Sequence, residues 1–327
     1  MVTVIIPTYK RAKYIKRAVQ SILDQTYQDV EVIVVDDNDA NTEYRQELEK
    51  EMEKYKNNEK VKYIQHEKNM NGAVARNTGI REAKGEYITF LDDDDYFLPK
   101  RLEIMVDYME KNKEYGCSYS ANIVTRNKKI IGFNEAIKSG QMKKELLLGD
   151  FSFGSGSNMF FRADALKEIN GFDESFQRHQ DIETMLRYLD KNEILAVNEN
   201  LLVKTQDDRS NEPNIEKYIK VKENYFKVFS EDINKLSIEE KNRFYKNNYM
   251  QLAYASIREK NKKYYNQFKN KAQEYGKLSI KDMIRVLMLR TNNYIKIENI
   301  KYVIKKFQAN MKISKDVKNN IKYYENM

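Results

Sequence analysis

The sequence predicts an α/β fold over residues 1–214 and an all-α region over residues 215–327. Three observations carry the prediction. Short apolar runs alternate with segments of helical spacing from Val2 to Leu91. Two of those runs end on clustered carboxylates, Asp36-Asp37 and Asp92 to Asp95. Beyond residue 215 helix signals continue with no convincing strand. Strands alternating with helices imply parallel βαβ units with right-handed crossovers. In such sheets ligands bind outside the carboxyl ends of the strands, which is where both acidic clusters fall.

Taken in order, Val2 to Ile6 reads as a buried strand ended by Pro7. Ala12 to Gln25 has apolar residues at Tyr14, Ile15, Ala18, Val19, Ile22 and Leu23, which is helical spacing. Val30 to Val35 is the next strand, Thr42 to Lys56 a charged helix, and Val61 to Ile64 a short strand. A turn at Asn69, Asn71 and Gly72 precedes a short helix, Asn77 to Ala83, and a strand ends at Leu91. Met159 to Phe161 is strand-like, and Thr184 to Leu189 is helical. Gln206 to Asn214 is polar throughout and contains Pro213, the signature of a linker or mobile loop. After it, Ser237-Ile238-Glu239-Glu240 has capping-box spacing, with Leu236 placed as a hydrophobic staple, and predicts a helix to about Lys260. Further helices are expected over Lys262–Tyr275, from Ser279 to Arg290, over Lys296–Lys312 and over Ser314–Tyr324.

Composition narrows the class. With 327 residues, 41% apolar and 33% charged, the chain suits one large domain or two ordinary ones. Three prolines and eleven glycines exclude collagen-like and low-complexity chains. A single cysteine, Cys117, precludes an internal disulfide and points to a reducing compartment. There is no membrane-spanning apolar run, and the strand pattern starts at Val2 without a secretory leader. A soluble, cytoplasmic protein is expected. Residues 215–327 hold 26 basic and 12 acidic side chains, a net +14; the preceding 214 hold 32 and 38, a net −6. Anionic lipid, an anionic acceptor polymer, nucleic acid or a merely solvated lysine-rich surface are all open partners for the basic half.

Four adjacent carboxylates at a strand tip repel one another. A divalent cation relieves that repulsion, because hard cations favour carboxylate oxygens and need few protein ligands when a phosphate supplies the rest. The other reading is a solvated acidic turn.

Five motifs stand in one order: Val4-Ile5-Ile6-Pro7-Thr8-Tyr9, Val34-Val35-Asp36-Asp37, Ala75-Arg76-Asn77-Thr78-Gly79, the run from Gly85 to Asp95, and Gly171-Phe172-Asp173-Glu174. This order resembles family 2 glycosyltransferases over residues 2 to about 205. The resemblance implies a GT-A, Rossmann-like nucleotide-sugar-binding domain that inverts the anomeric centre of a nucleotide-diphosphate sugar, with a UDP-sugar favoured. It implies a base pocket from Pro7, Thr8, Tyr9 and Asp37. There Tyr9 would stack on the base, or simply pack in the core, and Thr8 and Asp37 would reach a uracil edge. Arg76 resembles the family arginine beside base and pyrophosphate; read alone it is also compatible with a surface ion pair. Asn71 and Gly72 would bring backbone close to the nucleotide. Asp92 would face the ribose and donor sugar, Asp94 would bind Mn²⁺ or Mg²⁺ bridging the phosphates, and Asp93 and Asp95 would support them, Asp95 by capping the next turn.

An inverting transfer also needs a general base within hydrogen-bond reach of the acceptor hydroxyl. His179-Gln180-Asp181-Ile182-Glu183 aligns with the family's Glu-Asp pair, Gln180 replacing the glutamate. Asp181 is the expected base or a helix N-cap, Glu183 a weaker candidate, and His179 a wall of the acceptor pocket. Two histidines and one cysteine exclude ordinary zinc ligation. Gly154 to Asn158 lacks the Lys-Ser/Thr ending of a P-loop, and is placed against donor or acceptor. The family histidine after the last strand is missing; Asp207, Asp208 or Arg209 would replace it, or the loop would order only with donor bound. The expected acceptor is a lipid-linked or anionic surface-glycan precursor. The expected setting is cytoplasmic, with the basic helices either docked on an anionic membrane face or packed against neighbouring helices or a partner subunit of a homo-oligomer, and with no nucleic acid. The competing classes are a nucleic-acid-processing protein with acidic metal chemistry, a sugar-phosphate nucleotidyltransferase, which would need a glycine-rich loop where Pro7 to Arg11 stand, and a non-catalytic UDP-sugar-binding relative.

Overall fold

The structure is a computed structural model that describes residues 1–206, 214–290 and 313–327. The expected Lys296–Lys312 helix and the residues proposed to replace the family histidine lie outside the described residues. The chain divides into two compact units, one of Met1–Asp207 with Lys306–Met327, the other Asp208–Lys305. The basic C-terminal half is therefore not continuous: its last helix belongs to the first unit.

The first unit is built on a mixed sheet. Its opening follows the expected alternation: β1 Val2–Thr8, α1 Ala12–Leu23, β2 Val30–Asp36, α2 Glu43–Met52, β3 Val61–Gln65, α3 Gly72–Glu82 and β4 Tyr87–Phe90. β3, β2, β1 and β4 lie side by side and parallel. Val4, Ile5 and Ile6 of β1 and Val32 to Val35 of β2 are fully buried, so both faces of these strands are covered.

Past β4 the pattern departs from repeated parallel units. A two-residue strand, β5 Tyr96–Phe97, leads into α4 Arg101–Lys111, a hairpin of β6 Cys117–Arg126 and β7 Lys129–Asn134, and α5 Lys143–Leu148. Then come β8 Phe160–Arg162, α6 Ala163–Glu168, α7 Gln180–Tyr188 and β9 Ile194–Thr205. β8 runs antiparallel to both β4 and β6, while β9 is parallel to β6 and antiparallel to β5. The C-terminal helix Lys315–Glu325, capped by Ser314, packs Ile321 and Tyr324 with Tyr96, Ile123 and Val203.

Two helix starts differ from expectation for identifiable reasons. α3 begins at Gly72 because Asn71 caps it, accepting from Ala73 N and Val74 N. α7 begins at Gln180, with His179 in the left-handed region at φ 59° as its N-cap. Asp181 thus lies in the first turn and is not the cap.

The second unit is helical: α8 Ile215–Val228, α9 Ser230–Lys235, α10 Ile238–Arg258, α11 Lys262–Glu274 and α12 Ile280–Arg290. Ser237 and Glu240 form the expected reciprocal capping box on α10. Leu252, Ala253, Phe268 and Ala272 lie in its core.

Candidate active site

Groups from the carboxyl ends of β1 and β9, from α1 and α3 and from the Gly154–Asn158 loop surround the acidic turn that follows β4. Asp92 to Asp95 closes on itself, Asp95 N donating to Asp92 O at 2.9 Å. The four carboxylates are not equivalent. Asp93 is fully buried, accepts from Thr8 Oγ1 at 2.8 Å and lies 2.8 Å from Arg11 Nη2. Burial pushes its carboxyl up to about 7 against the pull of Arg11. Asp95 accepts from Ser157 Oγ at 2.7 Å and Thr205 N at 2.9 Å, and burial pushes it up to about 8. Asp95 therefore ties the turn to β9 and to the Gly154–Asn158 loop.

Asp92 and Asp94 keep more exposure. Burial alone would raise Asp92, but Arg76, with Arg11 and Lys204, outweighs it and holds the carboxyl below its ordinary range. Arg76 Nη2 donates to Asp92 Oδ1 at 2.7 Å. Asp94 Oδ2 accepts from Arg11 Nη1 at 2.6 Å with its side chain 15% exposed, and burial raises its carboxyl. Among the described residues no three His, Cys, Asp or Glu side chains are grouped to hold a metal. The donor set fits a cation that takes one hard carboxylate from the protein and the rest from a diphosphate and water, the habit of Mg²⁺.

Arg76 is aimed by its helix. It sits one turn after Gly72 and also donates to Gln180 Oε1 at 2.9 Å. A Cβ on Gly72 would stand 3.0 Å from both Arg76 Nη1 and Gln180 Oε1. Its guanidinium carbon lies 5.4 Å from the Phe172 ring centroid. Asn77 clasps Phe172, donating to its O at 2.8 Å and accepting from its N at 2.9 Å. Thus α3 and the Gly171–Glu174 turn share one set of bonds.

The residues expected to form the base pocket make the following contacts. Pro7 pairs with Val35 within the sheet, and Thr8 donates to Asp93. Tyr9 is half-buried, with Lys10 Nζ 4.9 Å from its ring centroid. Asp37 organises the loop before α3: it is bonded by Asn69 Nδ2, Met70 N and Asn71 N, and by His66 Nδ1 at 2.8 Å. Asn71 Nδ2 donates to Glu174 O at 3.1 Å.

Asp181 shares the field of Arg76, Asp92 and Lys204; burial dominates and raises its carboxyl above the ordinary range. It remains partly exposed, with Oδ1 accepting from Ile182 N at 2.9 Å. Glu183 is buried and paired with Arg187. Sequence reasoning missed the cations around the turn. Arg11 bridges Asp93 and Asp94, Arg17 Nη2 donates to Asp94 O at 2.6 Å, and Lys204 Nζ donates to Gly154 O at 3.3 Å. The pair Lys10-Arg11 at a strand end was the one visible signal; nothing in the spacing of α1 or β9 marks Arg17 or Lys204.

Residues 3–170, over half the chain, match the model of Glycosyl transferase family 2. The chain belongs to that family. It is 43% identical over 111 residues to an uncharacterised glycosyltransferase of Rickettsia bellii, covering 34% of this chain and 15% of that protein. It is 30% identical over 244 residues to the chondroitin synthase of Escherichia coli, covering 73% of this chain and 34% of that one. The chain thus spans only 15% and 34% of the length of these two relatives. Among solved structures, S. aureus TarS 1–349 in complex with UDP superposes with a TM-score of 0.53 at 19% identity, covering 84% of this chain and 91% of that one. Mannosyltransferase PcManGT from Pyrobaculum calidifontis, in complex with GDP-Man and Mn²⁺, gives 0.53 at 17% identity, covering 95% and 87%. At these identities the likeness speaks for the fold, which is of the GT-A type.

Proposed function

We propose that the chain transfers a sugar, with inversion, from a nucleotide-diphosphate sugar to a hydroxyl of a glycan acceptor, with a UDP-sugar as the favoured donor. One observation carries the reading: Arg76 joins the acidic turn after β4 to the start of α7, through Asp92 and Gln180, beside Asp181. The leaving-group end and the helix that carries the base are thereby tied by one guanidinium. The family match supports the reaction class, and the UDP in the TarS structure supports the donor.

The residues divide the work by charge. Tyr9 offers a ring face to the base, and the Asp37-organised loop walls the pocket. Asp92, kept ionised by Arg76, faces the donor sugar. Asp94 would hold Mn²⁺ or Mg²⁺, which supplies Lewis acidity toward the diphosphate when bound. Arg11, Arg76 and Lys204 offer positive charge to the departing diphosphate. Asp181, with its proton affinity raised by burial, takes the acceptor proton.

For the acceptor side we infer a lipid-linked or anionic surface glycan presented at an anionic membrane. Among the described residues no helix is long and apolar enough to cross a membrane. Ile280, Met283 and Ile284 of α12 are 72%, 52% and 46% exposed, beside Lys277 and Lys281, an apolar stripe with basic flanks suited to an interface.

A donor panel tests the reading by release of nucleoside diphosphate. Release from a UDP-sugar is expected with Mn²⁺ or Mg²⁺. Chelation or Asp94→Ala should cut it on the order of a hundredfold or more. Metal-independent release by wild type and variant alike would remove the metal assignment.

A further inference from the structure

The C-terminal helix reaches the acidic turn through two side chains that the proposed chemistry does not use. Glu325 is buried at its side chain. Its Oε2 lies 3.1 Å from Arg17 Nη1, and its Oε1 accepts from Thr125 Oγ1 at 2.9 Å and Tyr96 OH at 3.2 Å. Arg17, on α1, turns Nη2 the other way, donating to Asp94 O at 2.6 Å and Thr205 Oγ1 at 3.0 Å. Its guanidinium carbon stacks 4.7 Å from the Tyr96 ring centroid. Thr205 is gripped again through its N by Asp95 Oδ1. One guanidinium therefore fixes both the backbone of Asp94 and the last residue of β9. Glu325, 308 residues away in sequence, fixes that guanidinium. A buried ion pair adds little net stability, because desolvation offsets attraction. Its contribution is to select one arrangement of the groups it ties.

We propose that Glu325 and Arg17 are positioning residues for the diphosphate end of the site, so that the C-terminal helix, which lies outside the family-matched segment, sets the spacing between the acidic turn and β9. The proposal rests on the donor reading above, and its test separates the two. UDP with Mn²⁺ is titrated into the full chain and into Glu325→Ala, Arg17→Lys, their double variant and Glu325→Gln. In parallel, amide exchange is followed at Asp95 and Thr205, with the β1 amides as reference. Glu325→Ala and Arg17→Lys are each expected to weaken UDP about tenfold, and the double variant no further, because they break one chain of contacts. Glu325→Gln keeps one acceptor oxygen but trades the other for an NH2 donor and loses the charge that faces Arg17, so its affinity should fall between wild type and Glu325→Ala. Exchange should quicken at Asp95 and Thr205 and not in β1. Should Glu325→Ala fail to fold, Arg17→Lys decides alone. Unchanged affinity and exchange overturn the proposal, as does faster exchange spread through β1, which marks plain stability. If wild type binds no UDP, the donor reading falls and the exchange pattern alone decides the positioning.

Discussion

Asp92 and Asp181 are carboxylates in one electrostatic field, yet their proton affinities move apart. Arg76 touches Asp92 directly and holds it ionised, whereas it reaches Asp181 only through space and burial prevails there. That divergence is how one site can keep one carboxylate as an anion and use another as a base. A base with a raised pKa is lost as pH falls through that value. The acid limb of kcat/KM should therefore lie above the ordinary aspartate value of about 4. Asp181→Asn should abolish that limb and lower kcat by about 10²–10⁴-fold while leaving UDP affinity in place, as read by pH profiles and calorimetric titration. Near-normal turnover in the variant would remove Asp181 from the reaction.

At the scale of the element, α3 shows how two glycines in one helix serve different ends. A Cβ on Gly79 would stand 2.4 Å from Ile5 Cγ2 in the core, whereas one on Gly72 meets only the far ends of the Arg76 and Gln180 side chains. Gly79→Ala should thus cost about 1–3 kcal/mol through overpacking and lower the melting temperature. Gly72→Ala should leave melting nearly unchanged but weaken UDP severalfold by displacing Arg76. The opposite pattern would place Arg76 outside the donor site. Of the parallel strands, β1, β2 and β4 were legible because both their faces are buried and most of their residues are apolar. β6 was not, because Ser118, Ser120, Asn122 and Thr125 are buried polar residues, the last three of them held by Asn158, Asn134 and Glu325. The acidic turn was legible in the same way, as four adjacent carboxylates at a strand end. The cations that share it out come from α1, α3 and β9, and only the fold assembles them.

For the whole molecule, charge and connectivity together decide how the docking reading can be tested. Residues 215–327 carry a net +14, which suits attraction to anionic lipid at about 1 kcal/mol per basic residue near the surface. Removing everything after residue 214 would also delete the C-terminal helix that packs against Tyr96 and Val203 in the first unit. Such a truncation would confuse lost docking with a damaged site, so point substitutions on α12 are the cleaner probe. Ile280→Glu with Met283→Glu places carboxylates in the exposed stripe and touches none of the groups assigned to donor or base. The full chain should bind phosphatidylserine vesicles in preference to phosphatidylcholine, and lose them as ionic strength rises and the Debye length shrinks from about 10 Å at 0.1 M to about 3 Å at 1 M. The double substitution should weaken vesicle binding about tenfold or more while UDP release in solution is unchanged, since it removes apolar insertion and adds like-sign repulsion from the lipid. Equal binding to neutral and anionic vesicles, or binding indifferent to the substitution, would leave the basic helices as solvated surface and move the acceptor contact to the first unit.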